Sequence, residues 1–414
     1  MGGEECHIEN CPDKVLLLIL GYLPHNILVH TASRVCKKWR SLSQDSRLWS
    51  FVSLRPEVSG ITIPSIDFLV GLIRNRFGIN LRYLELPCDL ITVDVLNELA
   101  QRCPNLTHLL LDFSHGAQLA DFSGLSSFPT KIRYLCFCLS ETIFLDNFIK
   151  KILNFINGTQ MLHLYGTYEQ GEEEEGEVYE VLNIRTLKQA TPNLVVINMW
   201  GVSFVDDTHI EAFSSNCIQL AVLSVNYCSR VQGSTLKILV QRCKYLRCLL
   251  LQQTNLTADN MTAVEWEKAT ALQELDITAT DLPQASVIEV LTRVPALTWL
   301  SAGQLDGMTD AALTQWMASG KCASLKSLDL DSSDNVTEDM LGKFLDRYGG
   351  QLEGLALSGM GHVTDTLWNA YLPKLVNARI LVSTNKYRIS LSLEILFRSW
   401  ELLRRFRLRS TLTT

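Results

Sequence analysis

Asp276, Asp329 and Asp331 are the side chains of this sequence best suited by type to do chemistry, since paired carboxylates act as general acids and bases and clustered ones hold divalent metals. Their placement argues against both. They come from different strand-like segments, repeats apart, and no His or Cys joins them at ligand spacing. An exposed acidic face suited to a basic partner is the expectation instead. Cys6 with Cys11, and Cys243 with Cys248, have four residues between them but no second pair at zinc-site distance. Gly320-Lys321-Cys322 lacks the earlier glycine and the hydroxyl residue of a phosphate loop, and neither His-Glu-x-x-His nor Gly-x-Ser-x-Gly occurs. No Cys and His nominate themselves as nucleophile and base. The expectation is a protein without catalytic residues, metal or cofactor, whose function is binding.

The aspartates stand inside a recurring phrase, Leu-x-x-Leu-x-Leu, clearest at Leu246, Leu249 and Leu251 and seen also at Leu81, Leu84, Leu86 and at Leu106, Leu109, Leu111. One strand of this kind cannot bury its own apolar face, whereas a stack can. Phrases begin at Leu81, Leu106, Ile132, Thr159, Leu194, Leu220, Leu246, Leu272, Leu297, Leu325 and Leu352, and more weakly at Ala378 and Leu403. Most spacings are 25 to 28 residues, and the intervening segments carry helical patterns such as Val93 to Gln101, Asp207 to Ser215 and Thr337 to Asp346. Each repeat is therefore predicted to be one strand plus one helix. Tripeptides such as Val205-Asp-Asp207, Met308-Thr-Asp310, Val336-Thr-Glu338 and Val363-Thr-Asp365 supply an oxygen to cap the helix that follows.

Alternation along a strand turns the leucines inward and the residues between them to the concave face. This nominates Tyr83, Glu85, Tyr134, Cys136, Met161, His163, Tyr165, Asn198, Trp200, Asn226, Gln252, Glu274, Asp276, Trp299, Asp329 and Asp331. The best partner-binding candidates among them are Tyr83, Tyr134, His163, Trp200, Asp276, Trp299 and Asp329. Trp200 and Trp299 lead, because aromatics give large contact area at small entropic cost. The alternative is that each aromatic packs against its neighbour within the sheet.

Of the 414 residues, 47% are hydrophobic and 20% charged, and the formal net charge is -7. That balance opposes a general nucleic-acid binder, so protein partners are expected. No run reaches the roughly 18 apolar residues of a membrane helix, and the acidic N-terminus does not resemble a signal peptide, so a cytoplasmic or nuclear location and no membrane are expected. The 12 cysteines are then reduced and used as small apolar side chains.

Residues 7–50 read as a small helical bundle. Pro12 and Asp13 open a helix with the stripe Val15, Leu16, Ile19 and Leu20; Gly21 to Pro24 ends it. A second helix runs from about Asn26 with Ile27, Leu28, Ala32 and Val35, and a third carries Trp39 and Leu42 on to Leu48 and Trp49. Three blocks, Cys11-Pro-Asp-Lys-Val-Leu-Leu-Leu-Ile-Leu-Gly-Tyr-Leu23, Val35-Cys-Lys-Lys-Trp-Arg40 and Arg47-Leu-Trp49, together resemble an F-box in order and gaps, departing from it at Cys11, where leucine is usual. The later repeats are similar to the leucine-rich repeats found behind F-boxes.

This resemblance implies a substrate-recognition adaptor of an SCF-type ubiquitin ligase, in which the F-box docks onto a Skp-type adaptor linked to a cullin and a RING subunit. The docking residues it implies are Pro12, Leu16, Ile19, Leu20, Leu28, Val35, Cys36 and Trp39. They would alternatively be the bundle's own core. A leucine-rich-repeat scaffold or sequestering protein that delivers nothing for ubiquitin transfer is the alternative function. The predicted architecture is α/β: an F-box at 7–50, a bridge and cap at 51–80, and about 12 to 13 repeats over 81–414 with a parallel sheet on the concave side and helices on the convex side.

Two segments fall outside the pattern. The strands beginning at Thr159 and Leu194 are 35 residues apart, and the excess holds the acidic run 169–177, either a solvated loop or an acidic lip selecting a basic partner. After Leu375 the phrases degrade. Arg398, Arg404, Arg405, Arg407 and Arg409 crowd the end, either an incomplete last repeat or a basic patch.

Overall fold

The computed structural model describes residues 8, 11–116, 118–166, 179–295, 297–378 and 380–382. Among these residues thirteen strands form one sheet, each pairing in parallel with its neighbours in sequence. They are β1 Phe51–Ser53, β2 Tyr83–Pro87, β3 His108–Asp112, β4 Tyr134–Cys138, β5 Met161–Tyr165, β6 Val196–Trp200, β7 Val222–Ser224, β8 Cys248–Leu250, β9 Glu274–Asp276, β10 Trp299–Ser301, β11 Ser327–Asp329, β12 Gly354–Ala356 and β13 Ile380–Val382. The register lines up Val52, Leu84, Leu109, Leu135, Leu162, Ile197, Leu223, Leu249, Leu275, Leu300, Leu328 and Leu355 in one row, and every member is buried. One core thus runs the length of the array, as the repeated phrase requires: an α/β leucine-rich-repeat solenoid preceded by helices.

The phrase's first residue is buried too, from Leu81 to Leu352, and at one strand it is Thr159 instead of an aliphatic. Among the described residues the Thr159 hydroxyl has no hydrogen-bond partner. A buried orphan hydroxyl costs about 1–3 kcal/mol, and valine has nearly its shape. Thr159→Val is therefore expected to raise stability by about 1 kcal/mol, read as a higher urea midpoint at unchanged slope.

Helices close the convex side where the caps foretold them. Asp206 caps Asp207–Asn216 in a reciprocal box with His209, while Thr309, Thr337 and Thr364 cap Asp310–Ala318, Glu338–Tyr348 and Asp365–Tyr371. One strand plus one helix does not hold throughout. Between β3 and β4 the described residues contain no helix; Phe122 and Phe128 fill that layer, the Phe122 ring lying 4.6 Å from Phe148. Between β8 and β9 there are only the short helix Ala258–Thr262 and the turn Trp266–Lys268.

Ahead of the sheet, helices Asp13–Leu20 and Lys37–Ser43 flank a helical run over 25–35, which ends where extended Cys36 caps the next helix. The bundle joins the solenoid through Trp49, whose fully buried ring stacks on His25 at 4.8 Å, faces Phe77 at 5.8 Å and lies under the Arg76 guanidinium at 5.2 Å. Its indole N–H donates to the Ser43 carbonyl at 3.0 Å. Two residues on, β1 enters the sheet, so helices and repeats share a continuous core. The acidic run 169–177, the Arg-rich end and the phrase at Leu403 lie outside the described residues.

Two candidate interaction surfaces

The first surface is on the helical bundle. A stripe at helical spacing has one inner edge, and on Asp13–Leu20 it is Leu16, Leu17 and Leu20 that go inside. For three of the implied docking residues the alternative describes the free chain: Leu16, Leu20 and Leu28 lie in the bundle's core, because three short helices have little else to bury. Pro12, Ile19, Val35 and Cys36 are exposed and Trp39 half-buried. The same bundle presents apolar residues outside the expected docking set: Leu18 at 70% exposure, Tyr22 at 89%, Val15 and Ile27, beside Val35 at 59%. Leu18 was legible. In Leu16-Leu17-Leu18-Ile19-Leu20 the helical period cannot put all five inside.

The second surface is the concave face of the sheet. Register places Phe51, Tyr83, His108, Tyr134 and Met161 in one row, and Ser53, Glu85, Leu110, Cys136, His163 and Asn198 in the next. The rings form a ladder across the strands, with centroids 5.4 Å apart for Phe51 and Tyr83, 6.2 Å for Tyr83 and His108, 5.6 Å for His108 and Tyr134, 4.7 Å for Tyr134 and His163, and 6.1 Å for His163 and Tyr165. Farther along, Trp200 meets Tyr227 at 5.0 Å. The nominated Tyr83, Tyr134 and His163 thus share one ladder, with His108 between the two tyrosines, and the nominated Trp200 stands farther along the same face beside Tyr227. Tyr83 and Trp200 are half-buried, whereas His163 is almost wholly enclosed.

Trp299 is displaced from its leading place as a partner-reading residue. At 6% exposure it lies over Cys248 and Leu250 with Val222 at its side, a small apolar cluster on the concave side. The expected exposed acidic face is corrected as well: Asp276 is 4% exposed and Asp329 is 8% exposed. They are held in a polar network, in which the Thr278 backbone N–H donates to Asp276 Oδ1 at 2.9 Å, the Thr278 and Ser301 hydroxyls pair at 2.7 Å, and Ser301 donates to Asp329 Oδ2 at 2.9 Å. Glu85 and Glu274 are the half-buried carboxylates of the two rows. Glu85 accepts from the hydroxyls of Ser53, at 2.6 Å, and Tyr83.

Burial pushes the Asp276 carboxyl up to about 7, more than backbone and hydroxyl donors from Thr278 can offset. The folded chain then holds a proton that the unfolded chain releases near its ordinary 3.8. The associated stability is full below about pH 4 and is lost as pH rises toward 7. Asp276→Asn keeps an oxygen for the Thr278 N–H and removes the titration. Relative to wild type, it is expected to gain about 2–3 kcal/mol on going from pH 5 to pH 8, measured by urea unfolding at both pH values.

The rim of this face has a feature absent from the sequence reading. Gly201, Tyr227, Gln253, Ala279, Gln304, Ser332 and Gly359 all adopt left-handed backbone at matching places after successive strands, although five of them are not glycine. Each of the first six donates its N–H to a carbonyl of the next repeat, starting with Gly201 to Asn226 at 2.9 Å and Tyr227 to Gln252 at 2.8 Å.

Residues 8–55 match the F-box-like family model, so the chain carries such a domain at its N-terminus. Over 137 residues, 30% of this chain, it is 32% identical to F-box/LRR-repeat protein 12 of Homo sapiens, of which the match covers 37%. Over 252 residues, 59% of this chain, it is 23% identical to Putative RNA-binding protein EEED8.10 of Caenorhabditis elegans, of which it covers 32%. The chain thus spans about a third of the length of these curated relatives. Among solved structures, the Rad7 and Elc1 complex in yeast contains a similar chain at TM-score 0.48 and 16% identity, covering 91% of this chain and 90% of that one. An internalin (inlF) from Listeria monocytogenes str. 4b F2365 is similar at TM-score 0.45 and 16% identity, covering 87% and 95%.

Proposed function

We propose that this chain is the substrate-recognition adaptor of an SCF-type ubiquitin ligase. Its helical bundle docks onto a Skp-type adaptor connected to a cullin and a RING subunit, and its concave face holds a protein for ubiquitin transfer. The observation that carries the reading is an F-box-like domain with Leu18, Tyr22, Ile19 and Val35 on its outside, joined through buried Trp49 to a sheet whose concave side is lined with aromatics. Apolar side chains of that size on so small a bundle call for a covering partner. A continuous core at Trp49 fixes the distance between adaptor and held substrate. A receptor of this kind contributes proximity and performs no chemistry itself. A cytoplasmic or nuclear location belongs to the same proposal.

The test is co-purification of the full chain with a Skp-type adaptor and a cullin, followed by ubiquitin transfer to whatever protein the chain retains. The expected result is a stable complex and modification of the retained protein. Failure to hold the adaptor defeats the proposal. Retention of the adaptor without any modified partner favours the scaffold reading.

A further inference from the structure

Among the described residues, two register rows of the concave face hold acidic residues and no permanently cationic ones. In the register row of Tyr83, Glu274 is the one acidic residue; in the row of Glu85 stand Glu85, Asp276 and Asp329; and neither row contains a lysine or arginine anywhere from β1 to β13. Arg55, just past β1, is held by Asp112 at 3.1 Å. Between Glu85 and Glu274 lies the aromatic tract, and within it two buried polar atoms have no partner among the described residues: His163 Nε2 and Asn198 Oδ1. Asn198 and His163 face one another at 3.4 Å from amide nitrogen to Nδ1, and burial pushes the imidazole down to about 4, so the ring is neutral at ordinary pH. One bond within the pair leaves the ring Nε2 as a donor and the amide oxygen as an acceptor. A peptide unit, with one donor and one acceptor, is complementary to that remainder.

We infer that the concave face receives an extended, cationic polypeptide segment lying across the strands. Its basic side chains reach Glu85 and Glu274, its backbone follows the aromatic ladder, and a peptide group completes His163 and Asn198 once the flanking Tyr134 and Tyr165 rings give way. The inference rests on the proposed function, naming the chemistry of what the receptor holds. Strand spacing bounds its length: seven intervals from β2 to β9 at ~4.8 Å span roughly 34 Å, which an extended chain covers in about 10 residues. Aromatic ladders also stack nucleobases, but a phosphate backbone would meet the carboxylate rows with repulsion.

The experiment measures fluorescence anisotropy of a labelled 12-residue peptide of alternating arginine and alanine with the full chain near physiological salt. An alternating glutamate and alanine peptide and a 12-mer of oligouridine serve as comparisons. The arginine peptide is expected to bind and the other two are not. The pair Glu85→Gln with Glu274→Gln is expected to weaken binding at least tenfold at unchanged melting temperature. The pair Asp339→Asn with Asp346→Asn, on the convex helix Glu338–Tyr348, is expected to change it less than twofold. Equal weakening by both pairs, tighter binding of oligouridine, or no binding of the arginine peptide overturns the inference. Adaptor capture is followed on the same preparation. Capture without peptide binding sinks this inference alone, and peptide binding without capture sinks the ligase reading alone.

Discussion

Leu18→Glu combined with Val35→Glu is expected to reduce capture of a Skp-type adaptor by more than 100-fold while leaving the melting temperature within about a degree of wild type. Both side chains are exposed in the free chain, at 70% and 59%, so a carboxylate there costs little in folding. Covering a large aliphatic side chain contributes about 1.5–3 kcal/mol. Losing two, and desolvating two charges in their place, exceeds the roughly 2.7 kcal/mol that a 100-fold loss represents. The companion variant separates docking from folding. Leu20, 0% exposed in the bundle core, becomes Leu20→Ala at a cost of about 2–5 kcal/mol in stability. If Leu18→Glu with Val35→Glu binds normally, the outer face of the bundle is not the docking surface. If it melts early, those residues belong to the core after all.

That contrast also marks what the sequence could tell. The repeat phrase identified the strands because a buried row of leucines needs the same residue type at the same place in every repeat. The caps identified helices for the same reason: Thr309, Thr337 and Thr364 each satisfy a local need that no other part of the chain can override. The F-box resemblance found the bundle, but a motif does not separate inside from outside, and so it leaves Leu16, Leu20 and Leu28 open between docking and core, which the structure resolves for the free chain by burying them. Within the concave face, alternation placed Asp276, Trp299 and Asp329 on the correct side of the sheet. It did not reveal their burial, which depends on which neighbours stand across the ladder: Cys248 and Leu250 for Trp299, and Thr278 and Ser301 for the two aspartates. The left-handed rim had almost no signal, since glycine occupies only its two ends, Gly201 and Gly359, and tyrosine, glutamine, alanine and serine fill the rest. Repetition of the backbone itself holds those residues in place.

The shortened helix between β8 and β9 makes Trp266 the residue whose loss is felt farthest. It is fully buried, its indole N–H donates to the Met261 carbonyl at 3.0 Å, and it occupies the layer that a long convex helix fills elsewhere. Trp266→Ala is expected to cost about 3–5 kcal/mol, because the short segments on either side have few side chains with which to refill the space. In a solenoid each repeat is stabilised by its neighbours alone, so a weak interface in mid-array divides the cooperative unit. The expected signature is two urea transitions in place of one, with amide exchange rising first in β8 and β9. Trp266→Phe, which keeps most of the volume and loses the hydrogen bond, is expected to cost about 1–2 kcal/mol with a single transition. A single transition for the alanine variant, shifted by less than the phenylalanine variant, would mean the repeat closes around the gap. The alanine variant also tests the coupling of fold to binding. Glu274 sits on β9, so a chain split there should lose the cationic segment's distal contact while its helical bundle still holds the adaptor.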